Sequence, residues 1–252
     1  MKHEGERSMT RKNRVTVRVW GDFACFTRPE MKVERVSYPI MTPSAARGIL
    51  EAIFWEPQMC YLIDQIAVIK KGNWLSFRRN EVSSVISINE AKSWMQGTRP
   101  VKFVEAGGGA SDAAQRNMLA LADVEYLITA EVCLTRRANP PRDNLGKYLS
   151  EIERRAKRGK CFHRPALGCR EFAADFDWVD SRDVGNHRLA DWAHDELGLI
   201  LYDVFDDELR RSASDENPHV RPQASFFRAT VKDAVMQCHP TSVADRIVRS
   251  QV

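Results

Sequence analysis

The chain has no apolar run near the roughly 20 residues that a bilayer-spanning helix needs, so the sequence gives no expectation of a membrane span. It has six cysteines, none in a Cys-x-x-Cys pair, and no histidine stands at zinc-finger spacing from them, which argues against a structural zinc site. Several cysteines sit in apolar runs, such as Cys133 in Glu-Val-Cys-Leu, and read as small buried hydrophobes with reduced thiols, as expected in the cytoplasm. Glycines 107–109 lack a following Gly-Lys-Ser/Thr, which excludes a P-loop. The polar, basic start has no hydrophobic segment behind it and is not a signal peptide; residues 1–12 read as a flexible arm able to touch phosphates. What remains is ordinary globular composition, 43% hydrophobic and 29% charged over 252 residues, enough for one large domain or two small ones. The net charge of +4 is too modest to mark a nucleic-acid binder by itself, so the clustering of cations carries that question.

Hydrophobic periodicity sets the order of elements. Val15, Val17 and Val19 alternate with polar residues as a half-buried strand. Thr42 caps a helix with Pro43 at its first position, and Ala46, Ile49, Leu50, Ile53 and Phe54 give its buried stripe. Residues 61–69 form the next strand, residues 73–84 a hairpin bearing Arg78 and Arg79, and residues 105–117 a Gly-rich loop. A strand follows over 124–134. Then comes a basic helix capped by Asp143 or Asn144, with Leu145, Leu149, Ile152 and Ala156 inward and Gly159 closing it. Residues 170–178 alternate as a last strand. Strand, helix, strand, strand, helix, strand is the ferredoxin-like order shared by RNA-recognition domains. The expectation is an α+β chain: a ferredoxin-like domain over 13–180 with the hairpin inserted, a small β domain over 181–240, and a loose tail over 241–252.

The densest cationic stretch is residues 143–172, where Lys147, Arg154, Arg155, Lys157, Arg158 and Lys160 fall within four turns. Single-stranded RNA asks for phosphate contacts and flat groups on which bases stack. Phe26, Arg28 and Lys32 in the first loop, Arg78 and Arg79 on the hairpin, Arg116 beside the glycines, and Arg154, Arg158 and Arg170 are the candidates. Lys147 and Tyr148 fall in the first turn of the basic helix, where free N–H groups and the dipole favour an anion. Lys147 could hold a phosphate and stabilise charge building on it, and Tyr148 could move a proton. His163 lies in a basic loop, and imidazole is the natural acid or base near neutrality. The acidic run Asp203, Asp206, Asp207 and Glu208 matches no metal-ligand loop and reads as a solvated turn.

Three blocks, residues 21–57, 77–84 and 144–172, together resemble the Cas-five family, subtype d, the RAMP-type endoribonuclease of type I-C CRISPR systems. The similarity is good over about 13–180 and weaker beyond. It implies a ferredoxin-like domain with a small C-terminal β domain and no cofactor. It also implies cleavage of the precursor CRISPR RNA repeat hairpin without metal: the 2′-hydroxyl attacks the neighbouring phosphate and leaves a 2′,3′-cyclic phosphate. The protein would then keep the 5′ handle and join the other type I-C surveillance-complex subunits; duplex DNA is a further partner left open. Some members carry a tyrosine at the first helix start and Lys-His at the second. Here the matching residues are Thr42-Pro43-Ser44 and Lys147-Tyr148. Tyr148, Tyr38 and His163 are the alternatives for the base. A non-cleaving handle-binding scaffold is the second expectation, and a magnesium-dependent DNA nuclease built on the acidic run the third.

Overall fold

The computed structural model describes residues 13–204 and 224–249; the N-terminal arm and Asp206, Asp207 and Glu208 lie outside them. β1 (Arg14–Ala24) buries Val15, Val17 and Val19 on one face, as the alternation predicts. After a two-residue strand, β2 (Arg35–Val36), α1 (Pro43–Ile53) starts where expected, with the Thr42 hydroxyl accepting from Ala45 N at 3.2 Å. Its buried Ile49, Leu50 and Ile53 each contribute roughly 1.5–3 kcal/mol by leaving water.

β3 (Met59–Lys70) and β4 (Asn73–Val82) run one after the other along a single partner, β5 (Ala113–Leu134), which is 22 residues long. The segment 73–84 is therefore not a hairpin of its own: β4 is one arm of a long ribbon whose other arm is the first half of β5. Residues 113–117, expected in the Gly-rich loop, already belong to β5. The tip of the ribbon carries α2 (Ile88–Met95), closed by a capping box between Ser87 and Glu90.

α3 (Leu145–Ala156) is the expected basic helix, capped by Asn144. β6 (Asp175–Trp178) is shorter than the strand expected over 170–178, because residues 166–174 fold into a tight loop closed by an Ala166–Ala173 bridge. The order β3-β5-β1-β6 within the sheet is that of a ferredoxin-like fold, with α1 and α3 packed on it.

The C-terminal strands are β7 (His194–Asp203), β8 (Ser225–Lys232), β9 (Val235–Gln237) and β10 (Ile247–Arg249). β9 pairs with β3 and carries them onto the same sheet. Of the tail expected to be loose over 241–252, the described part, up to residue 249, forms a helical turn, α4 (Pro240–Val243), and then β10 on the edge of β8; Val243 is 1% exposed and fixes the turn. Among the described residues no helix is long and apolar enough to cross a membrane.

Candidate nucleic-acid interface

A groove of about 850 Å³ opens between α1, the end of β1 and the loop that follows α3. Thr42, Ser44, Ala45, Gly48 and Ala52 line it from α1, Phe26 and Thr27 from beyond β1, Leu201 from β7. His163, Arg164, Pro165, Ala166, Gly168 and Arg170 form the opposite wall. Backbone bonds fix that wall. Phe162 N donates to Ala52 O at 2.8 Å, Ala174 N to Pro165 O at 2.9 Å, and Cys25 N to Leu167 O at 2.9 Å. Its imidazole and cationic residues are thus held on rigid supports, which a reacting phosphate requires.

The chain that carries this groove matches, over residues 15–239, the family model described as CRISPR-associated protein (Cas_Cas5), subtype Cas5d. The chain belongs to the Cas5d family. This Cas5d is 48% identical over 217 residues to the CRISPR pre-crRNA endoribonuclease Cas5d of Thermus thermophilus, covering 85% of this chain and 80% of that one. It is 38% identical over 230 residues to the protein of the same name in Mannheimia succiniciproducens, covering 90% and 96%. Its fold matches a solved CRISPR-associated protein with TM-score 0.62 at 20% identity, covering 93% and 96% of the two chains. A protein of Streptococcus mutans matches with TM-score 0.61 at 17% identity, over 93% and 96%.

Of the residues singled out in the sequence, the groove of this Cas5d unites Phe26, His163 and Arg170 and leaves the others elsewhere. Phe26 is 2% exposed and edge-on to Tyr126 at 6.0 Å, so it floors the groove rather than offering a free face to a base. Arg28 lies over the Tyr38 ring at 4.8 Å, and Lys32 is exposed on the same loop. Tyr38 does not swing in from its loop: it is 1% exposed, and burial pushes its phenol up.

Arg79 is engaged by Glu81 and Glu171, which satisfies its charge within the protein. Arg116 sits directly across from Arg79 on β5, whereas Arg78 pairs with Asn117 and is exposed. Arg78 therefore remains available to a phosphate on the outer ribbon.

The basic helix is far less basic in space than in sequence. Glu151 takes Arg154 at 2.6 Å and Arg155 at 2.8 Å, and Glu153 takes Lys157 at 2.7 Å. Exposed pairs of this kind add little stability, but they offset the charge that the spacing suggested. Arg158 is exposed just past the helix.

Lys147 Nζ lies 3.8 Å from Asp143 and 3.9 Å from Glu56, and the residue does not line the groove. Tyr148 cannot be the base assigned to it. It is fully buried and its hydroxyl donates to Asp143 Oδ1 at 3.0 Å; burial first, then that bond, push its phenol up to about 12. A ribose hydroxyl has no path to it. Tyr148→Phe is expected to lower stability by about 1.5–3 kcal/mol in chemical denaturation, the worth of one buried hydrogen bond to a charged acceptor. Tyr148→Ala should cost about 3–5 kcal/mol, because it also opens a cavity under α3.

Asp203, the one described residue of the acidic run, is buried against Arg47 Nε at 3.0 Å. It is a structural counter-charge for α1, not part of a solvated turn. The sequence reading missed Ser44, Thr27 and Arg164. All three lie inside the blocks that carry the family resemblance, and Arg164 adjoins His163.

Proposed function

We propose that this Cas5d cleaves precursor CRISPR RNA within its repeat, with His163 and Arg170 working in the groove. One observation carries the proposal. The groove holds an imidazole and two guanidinium residues on a fixed wall, in a chain akin over most of its length to two proteins named as pre-crRNA endoribonucleases. Transesterification needs a base near the 2′-oxygen, positive charge at the phosphate and a proton for the departing 5′-oxygen. His163 supplies the proton transfer. Arg170 holds the phosphate as charge accumulates on it. Arg164 is tied to Asp175 and orients the wall. The Ser44 hydroxyl, across the groove, is a further hydrogen-bond partner for the strand. The 2′-oxygen forms the new P–O bond as the P–O5′ bond breaks, leaving a 2′,3′-cyclic phosphate and a 5′-hydroxyl with no metal required. Lys147 and Arg78 act outside the groove as contacts to flanking phosphates. The cut 5′ handle stays bound, and the protein joins the type I-C surveillance complex in that form.

The test is to incubate pure protein with its own labelled repeat RNA in EDTA. A single cut per repeat is expected, and a 2′-deoxy substitution at the cut position should abolish it. Tyr148→Phe should cut within about threefold of the parent rate, since that hydroxyl never meets RNA. A second reading, a handle-binding scaffold without activity, draws on the sealing of Tyr148 in the core, at the position where the resemblance implies a histidine in some members. Tight repeat binding with no scission in any buffer would establish it. A magnesium requirement would overturn both.

A further inference from the structure

Beneath the groove, two thiols meet. Cys25 is fully buried and Cys169 is 4% exposed. Both flank the Thr27 hydroxyl, Cys25 Sγ at 3.5 Å and Cys169 Sγ at 4.0 Å from its oxygen. Cys169 Sγ is 3.7 Å from the Cys25 carbonyl, and the backbones on either side touch, with Cys25 N bonded to Leu167 O. Arg35 Nη1 donates to Cys169 Sγ at 3.0 Å. A guanidinium aimed at a sulfur stabilises thiolate, and thiolate is the form that peroxides oxidise.

We propose that Cys25 and Cys169 form a peroxide-driven, reversible disulfide that staples the groove's His163–Arg170 wall to the end of β1. The hydrogen bond with Cys25, and after it the Arg35 guanidinium, hold the Cys169 thiol below its ordinary range; the same bond and burial push Cys25 up. Cys169 is therefore the nucleophile and Cys25 the resolving thiol. The Cys169 thiolate attacks one oxygen of hydrogen peroxide and the O–O bond breaks. This gives the sulfenic acid and a hydroxide that takes up a proton. Cys25 sulfur then attacks the sulfenic sulfur, the S–O bond breaks, and a second water leaves with the Cys25 proton. Both sulfurs are oxidised and the peroxide is reduced to two waters. Thr27 and Gly168, the residues beside this pair, line the groove, which gives peroxide its route in.

The test uses full-length protein and hydrogen peroxide, with the remaining thiols alkylated before a non-reducing digest and mass spectrometry. A Cys25–Cys169 linked peptide is expected, lost on reduction, with Cys60, Cys133, Cys161 and Cys238 alkylated. Hydrogen exchange over residues 163–172 should slow in the oxidised protein and recover with reductant. Alkylation of both Cys25 and Cys169, a different linked pair, or unchanged exchange each overturns the proposal. Two variants probe the roles. Cys25→Ser should stop at a Cys169 sulfenic acid captured by dimedone. Arg35→Gln should slow oxidation about tenfold when measured near pH 5, where thiolate is the minor form of a thiol at about 6 and its fraction falls in proportion as the thiol rises by about 1, and only about twofold at pH 7; an unchanged rate at pH 5 would remove Arg35 from the scheme. None of these readouts needs RNA, so their outcome is separate from the endonuclease assignment.

Discussion

His163→Ala is expected to slow repeat cleavage by about a hundredfold or more, the usual worth of a positioned acid or base, while repeat binding stays within about threefold. The side chain is exposed in the groove and its backbone is held through the Ala52 carbonyl, so removing the imidazole should disturb little else. Thermal stability should therefore move by no more than about 0.5 kcal/mol. Lys147→Ala provides the contrast. Its ammonium lies between Asp143 and Glu56, outside the groove, and its proposed role is contact with a flanking phosphate. Its loss should raise KM about tenfold or less, with kcat nearly unchanged, as expected for binding shared by ground and transition states. The reverse pattern, full-rate cutting by His163→Ala and abolished cutting by Lys147→Ala, would move the reacting phosphate to the start of α3. Single-turnover assays with excess protein separate the two effects, since they read the chemical step apart from product release.

The parts of this fold that were legible are those where one face is buried and the other is not. Val15, Val17 and Val19 announce β1, and Thr42-Pro43 announces the start of α1, because alternation and capping are local. The ribbon was illegible for the opposite reason. The first four residues of β4 are exposed on both faces, and the half-buried face of the rest carries Arg79 and Glu81 beside Phe77, so its alternation is not one of hydropathy; Gln115, Arg116 and Asn117 on β5 read as loop beside the glycines. The inner face of α3 was expected to run through Leu145, Leu149, Ile152 and Ala156. Ile152 and Ala156 are buried as expected, but the third buried position, spaced by four residues from Ile152, is Tyr148, and the leucines sit at the margin. A tyrosine in line with Ile152 and Ala156 was readable as packing, and the pull of the neighbouring lysine obscured it. The cations of α3 were counted without Glu151 and Glu153, although the (i, i+3) and (i, i+4) spacing already brings those acids to them. His163 and Arg170 were both visible as residues. Their convergence on Ser44 and Thr27 was not, because it depends on contacts between segments more than a hundred residues apart.

Gly168→Ala should do the most damage of any glycine-to-alanine change among the described residues. Gly168 has φ +89°, and a Cβ there would stand 2.0 Å from the Cys25 carbonyl oxygen and 2.6 Å from its carbon. Both are rigid backbone atoms that no rotamer change can move aside. The left-handed backbone costs a residue with a side chain about 1–2 kcal/mol, and relieving the overlap costs about 1–3 kcal/mol more. The expected loss is about 3 kcal/mol or more in urea unfolding. Gly159→Ala, at φ +61° with nothing within 4 Å of the added carbon, should lose only about 1 kcal/mol. The groove gives the comparison its functional edge. The close approach at Gly168 permits the Cys25 N to Leu167 O bond, and that bond sets Arg170 across from α1. At a temperature where both variants remain folded, Gly168→Ala should thus cleave repeat RNA at least about tenfold more slowly than Gly159→Ala, because a 1 Å displacement of a positioning group costs that much and more. Equal stability and equal rates in the two variants would mean that the wall is not built on this contact, and that the groove's geometry is set from α1 alone.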